Sequence, residues 1–170
     1  MNVDIKSIVR PEVLRLKPYV PAKKVTNTVR LNANESPFSV TAKAEALSLN
    51  LYPDAVPYKI RSSVANYLGI SEENCVVTRG STEAIDILIR TFCSPRDDEI
   101  IIFPPTFEMY QFYAAIQGIN IVRVPLLEDS NYQIDIDVFK SKLSKKSKLT
   151  FLCSPSNPTG HSIDTTSIYQ

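Results

Sequence analysis

From Pro57 onward, short apolar runs of strand type alternate with stretches of helical periodicity. That alternation restricts such a chain to an α/β sheet with helical crossovers. Pro57 suits the first turn of a helix, Ile60, Val64 and Leu68 make one apolar face, and Gly69 fits the C-terminal cap. Residues 75–78 read as a short buried strand. Residues 81–93 read as a helix with Ile85, Leu88, Ile89 and Phe92 on one side. A second strand at 99–103 ends at Pro104-Pro105. A helix at 107–117 follows, with Met109, Phe112 and Ile116 inward and Gly118 as its cap. Residues 119–124 form a third strand. Asp135 caps a helix over 136–143 that carries Val138, Phe139 and Leu143, and 148–153 form a fourth strand.

In open α/β sheets ligands bind where strands end and loops gather. The loops at 78–82, 104–108 and 154–160 therefore carry the chemistry of interest. In Thr78-Arg79-Gly80-Ser81-Thr82-Glu83, Gly80 permits a tight turn, and the amides and hydroxyls at the helix start can hold a phosphate. Ser81 or Thr82 acting as a plain helix cap explains the same residues. In Pro104-Pro105-Thr106-Phe107-Glu108-Met109-Tyr110, Phe107 is placed either to stack on a flat ring or to pack in the core. Ser154-Pro155-Ser156-Asn157-Pro158-Thr159-Gly160 is the most specific of the three. Its prolines restrict the backbone and present the Asn157 amide in a fixed direction, where it can donate to a phenolate oxygen.

The first 56 residues differ. Pro11, Pro18, Pro21, Pro37 and Pro53 favour an extended or turning arm, with a short helix near 40–48. Within it lie Leu31-Asn32-Ala33-Asn34-Glu35-Ser36-Pro37 and Leu51-Tyr52-Pro53-Asp54, where Tyr52 could either reach a phosphate or pack. The net charge of +1 creates no long-range field for nucleic acid or a membrane. The cluster Lys140, Lys142, Lys145, Lys146, Lys148 reads as a solvated helix end and turn. Cys75, Cys93 and Cys153 are far apart and His161 is the single histidine, so neither a zinc site nor a disulfide framework is expected. Buried free thiols in a reducing cytoplasm fit the pattern. No secretory h-region and no membrane-length apolar run occur in the sequence.

Taken together, LNANESP, LYPD, VVTRGSTEAIDILIRTFCSP, FPPTFEMY and LCSPSNPTG resemble the fold-type I pyridoxal-phosphate (PLP) aminotransferases. The histidinol-phosphate aminotransferase branch is the most similar, and the opening IVRPEVLRLKPYVPAKK resembles that branch too. The resemblance runs from about residue 8 to about residue 160. It implies a three-layer α/β/α large domain of the aspartate aminotransferase-like fold, truncated. Residues 1–50 would supply an arm and part of a small domain, and 51–170 the N-terminal half of the large domain. It implies that the amides of Ser81 and Thr82 bind the cofactor phosphate, and that Phe107 stacks on the pyridine ring where tyrosine is commoner. Asn157 would hydrogen-bond the cofactor's 3′ oxygen, and the peptide before Pro158 would be cis. Tyr52 would reach the phosphate in a partner subunit of a homodimer with a shared active site. Tyr19 would lie over the substrate, with Asn32, Ala33, Asn34 and Glu35 near its entrance.

The same resemblance implies a reaction between histidinol phosphate and 2-oxoglutarate, giving imidazole-acetol phosphate and glutamate, a step of histidine biosynthesis. The Schiff-base lysine, the aspartate facing the pyridine nitrogen, a tyrosine and the arginines of such enzymes fall after the NPTG loop. No residue of 1–170 is therefore expected to be catalytic, and no metal is expected. Residues 162–170 fit the family poorly. Two other readings stay open. One is a neighbouring branch, an aromatic aminotransferase or a threonine-phosphate decarboxylase. The other is a non-catalytic fragment that binds PLP weakly, pairs with other subunits or does nothing.

Overall fold

The structure, a computed structural model, describes residues 4–19, 28–29, 31, 33–38, 49–54, 56–164 and 166. The chain divides into two compact units, one made of residues 1–16 and 78–170 and the other of residues 17–77. The helix expected near 40–48 lies outside the described residues.

The larger unit opens with two short helices, α1 (Ile5–Ile8) and α2 (Pro11–Leu14), where an extended arm was expected. Pro11 occupies the first turn of α2, a place where its missing N–H costs nothing. Arg10, between them, ties this segment to the rest. Its N–H donates to the Thr91 carbonyl at 3.0 Å and its guanidinium to the Arg90 carbonyl at 3.1 Å. A cation at those otherwise orphaned carbonyls also suits the helix dipole.

The unit is built on a parallel sheet of β1 (Glu99–Ile102), β2 (Asn120–Arg123) and β3 (Ser147–Phe151) in the order β2-β1-β3. Ile100 and Ile102 of the central strand face α4 (Gly80–Phe92) and α5 (Met109–Ile116), packing with Ile85, Ile89 and Ala114. Ile101 and Phe103 point the other way, into a cluster with Val124, Leu126 and Ile163. Phe139 of α6 (Ile136–Lys142) packs on that second cluster. β1 is thus apolar on both faces, as a strand covered by helices on both sides must be. The result is the α/β/α layering expected from the sequence.

The local signals for α6 hold. The Asp135 carboxylate accepts from the Val138 N–H at 2.9 Å. Asp135→Ala is expected to cost about 0.5–2 kcal/mol in urea unfolding, with no change in the denaturant slope. Gly118 sits at φ 67° after α5, as a C-terminal turn requires. Cys93 is buried, and burial pushes its thiol up to about 11, so it is an inert packing residue. Cys75 and Cys153 are only half-buried, unlike the sequence expectation.

Two other expectations fail. Phe112 and Ile116 of α5 are 52% and 63% exposed. The helix instead meets the sheet through Met109, Tyr110, Tyr113 and Ala114, and the small alanine side chain permits close approach. Residues 75–78 are extended but form no ladder, and Val76 is 83% exposed. A strand exists only where a neighbour completes its hydrogen bonds, and neither edge of the sheet pairs with this segment.

The smaller unit contains α3 (Tyr58–Leu68), which ends at Gly69 with φ 67°. Ala65 is its buried residue, while Ile60, Val64 and Leu68 of the expected apolar face are exposed. Arg61 reaches Glu72 of the 3₁₀ turn Glu72–Asn74 at 3.6 Å. No helix among the described residues is long and apolar enough to cross a membrane.

Candidate active site

β1 and β3 run parallel, so the loops that follow them leave from the same end of the sheet. α4 packs on this sheet and leads into β1 through residues 93–98, so it runs back along the strands. Its N-terminus therefore lies toward the same carboxyl end. All three loops singled out in the sequence gather there, as the rule for open α/β sheets requires.

The turn into α4 is held by its own polar groups. Gly80 adopts φ 78°, a conformation that side chains disfavour. Thr78 Oγ1 donates to the Gly80 carbonyl at 2.8 Å. The Glu83 carboxylate accepts from the Arg79 N–H at 2.6 Å and from the Arg79 guanidinium at 2.9 Å. These bonds, the backbone one first, hold the Glu83 carboxyl below its usual range. Arg79 is the N-cap residue and makes no side-chain cap bond. Ser81 and Thr82 are already inside the helix, so neither is its cap. Their N–H groups belong to the first turn, where helix geometry supplies no acceptor.

The loop after β1 turns at a cis Pro104-Pro105 peptide, and the Leu126 N–H donates to the Pro104 carbonyl at 2.8 Å. Phe107 is half-buried against the core cluster that contains Ile85 and Ile102. Its ring meets the edge of Tyr110 at 5.7 Å and 85°. Tyr110 in turn stacks on Phe151 of β3 at 4.8 Å and 15°. Burial, then the adjacent Cys153, push the Tyr110 phenol up to about 12, so it stays protonated.

The loop after β3 carries cis peptides at Ser154-Pro155 and Asn157-Pro158, the latter as expected. Short backbone bonds close it: Gly160 N–H to the Ser156 carbonyl at 2.7 Å and Ser156 N–H to the His161 carbonyl at 2.8 Å. Ser154 Oγ accepts from the Ile163 N–H at 3.0 Å, which pins the far side of the loop to the second core cluster. Asn157 itself is exposed.

Phe107 and Asn157 come together in one open cavity of about 500 Å³, whose wall also includes Pro104, Thr106, Glu108 and Pro158. Neither Ser81 nor Thr82 lines it. Tyr19 and Tyr52 belong to the smaller unit and are both exposed. The Tyr52 N–H donates to the Glu35 carboxylate at 2.7 Å. Asn32 lies outside the described residues. The structure also picks out Tyr110, Cys153 and Glu83 as supports of the site; the quoted motifs contain them, but no role was assigned to them from the sequence. The three-residue spacing of Phe107 and Tyr110, one helical turn, was the available signal for the first of these.

A flat phosphorylated aromatic compound fits these residues. The cavity is within the size range of small-molecule sites. One wall is an aromatic ring, another a carboxamide that can donate or accept, and backbone amides at a helix start suit a phosphate.

The fold is that of known aminotransferases. An alanine aminotransferase from Pyrococcus furiosus superposes with a TM-score of 0.67 at 24% identity, over 75% of this chain and 34% of that one. Cystalysin from Treponema denticola, whose structure contains a pyridoxal 5′-phosphate cofactor, superposes with a TM-score of 0.62 at 24% identity, over 70% of this chain and 32% of that one. The family described as aminotransferase class I and II matches residues 23–169, and the chain belongs to that family. The histidinol-phosphate aminotransferase of Buchnera aphidicola subsp. Schlechtendalia chinensis is 40% identical over 164 residues. That alignment covers 95% of this chain and 45% of the relative, so the chain spans under half the length of this relative.

Proposed function

We propose that residues 1–170 supply the N-terminal part of the cofactor site of a pyridoxal-phosphate-dependent aminotransferase acting on histidinol phosphate and 2-oxoglutarate. The observation that carries this reading is the convergence of Phe107 and Asn157 on one cavity at the carboxyl end of a parallel sheet. The likeness to histidinol-phosphate aminotransferases supports the substrate assignment.

Each residue then has a task. The N–H groups of Ser81 and Thr82 bind the cofactor phosphate, aided by the helix dipole. The Phe107 ring is a stacking platform, for which a phenol hydroxyl is not needed. The Asn157 carboxamide donates to the 3′ oxygen and favours its ionised form. Tyr52 reaches the phosphate of a second copy's cofactor in a homodimer, and Tyr19 covers the substrate. Residues 1–50 act as arm and small-domain segment, and 51–170 as the first half of the large domain, in the cytoplasm. When bound, the cofactor supplies the electron sink that lets a substrate Cα–H be removed. Lys140, Lys142, Lys145, Lys146 and Lys148 match no position that would bond to it. The 170 residues by themselves are therefore binding-competent and inactive in transfer.

Two measurements test this. The 170-residue chain is titrated with pyridoxal phosphate and assayed for glutamate formed from histidinol phosphate and 2-oxoglutarate. Binding without turnover is expected. Absence of binding sinks the cofactor assignment, and turnover sinks the binding-only role. The protein expressed from its own gene is then offered histidinol phosphate, tyrosine or threonine phosphate. A preference for either of the latter two overturns the substrate assignment.

A further inference from the structure

Asn157 stands on an exposed loop, and a carboxamide there selects one direction only if the backbone beneath it is held. Apart from the Gly160 and Ser156 bonds that close the turn, its support is a sulfur atom. The Asn157 N–H donates to Cys153 Sγ at 3.4 Å, and the Cys153 thiol donates to the Pro155 carbonyl at 3.5 Å. Tyr110 lies beside Cys153. A thiol has one proton, and here it goes to the Pro155 carbonyl, so the sulfur accepts from the Asn157 amide. Tyr110 is itself immobilised, stacked on Phe151 and edge-on to Phe107. The thiol therefore sits beside an aromatic group rooted in the core and holds the backbone of Asn157, the carboxamide that lines the cavity across from Phe107.

Resting on the cofactor reading above, we propose that Cys153 is a positioning residue of this site, whose thiol, anchored on the Pro155 carbonyl, holds the Asn157 backbone so that its carboxamide faces the bound ring. It touches no ligand and acts only through Asn157.

The probe is 4′-deoxypyridoxine 5′-phosphate, which lacks the aldehyde and so cannot react with surface lysines. Its affinity for the chain and its induced circular dichroism at saturation are measured for Cys153→Ala, Cys153→Ser and Asn157→Ala, and for Cys153→Ala combined with Asn157→Ala. Losing one modest hydrogen bond predicts a weakening of about fivefold to tenfold for Cys153→Ala, with a reduced dichroic signal. Cys153→Ser keeps a hydroxyl that can accept and donate, and stays within about threefold of the parent. In the Asn157→Ala background the Cys153→Ala effect vanishes, because the group it positions is gone. An undiminished effect in that background overturns the proposal, as does a Cys153→Ala chain that loses stability but keeps the parent affinity and dichroism. If the parent binds the probe and Asn157→Ala weakens it while Cys153→Ala does not, the cofactor reading stands and the positioning role falls. If the parent does not bind the probe, both fall together.

Discussion

Ile101→Ala is expected to lower the unfolding free energy by about 2–5 kcal/mol. Ile101 is fully buried in the central strand, which is paired on both sides, and lies opposite Val122 of β2 and Thr150 of β3. Its side chain packs in the cluster with Phe103, Val124, Leu126 and Ile163. A strand held on both edges cannot shift to fill the void, so the cavity term adds to the lost transfer energy. Urea unfolding followed by far-ultraviolet circular dichroism measures it. A loss below about 1 kcal/mol would mean that this face of the sheet relaxes freely, contrary to its packing.

Ser81→Pro is expected to weaken binding of a pyridoxal-type phosphate by about tenfold to a hundredfold while leaving helix content unchanged. Ser81 lies in the first turn of α4, where proline is tolerated because its N–H has no intrahelical acceptor. The substitution therefore deletes the donor proposed to meet the phosphate and little else. Comparing 4′-deoxypyridoxine 5′-phosphate with 4-deoxypyridoxine isolates the phosphate. The two affinities should converge in the variant. If the parent's preference for the phosphorylated compound survives Ser81→Pro, the phosphate is held elsewhere.

Much of the fold was legible because it rests on local signals. β1 and β2 lie where apolar, β-branched runs placed them, and β3 overlaps its expected span. α4 and α6 begin and end close to their predicted bounds, and the turns at Gly69, Gly118 and Asp135 follow from backbone freedom and side-chain capping. The failures share a different cause. α5 carries apolar residues around most of its surface, so periodicity alone did not say that Ala114 is buried and Phe112 exposed. Cys75-Val76-Val77-Thr78 has the composition of a strand, but a ladder needs a partner, and composition is silent about partners. Arg10 pairing with the end of α4 joins residues far apart in sequence, and no local pattern announces it.

The amino-acid sequence by itself determined the helices and strands of residues 80–151 and which loops carry prolines, glycine and an asparagine suited to ring recognition. It also set a helix start just after Gly80, where backbone amides can meet a phosphate. Only the tertiary structure decided that Phe107 and Asn157 share a cavity and that the Asn157 N–H meets Cys153 Sγ. The physical reason is strand order. Placing β3 beside β1, with β2 on the other flank, brings the loops after β1 and β3 together, and that order is chosen by how the crossover helices bury their faces, which no single segment encodes.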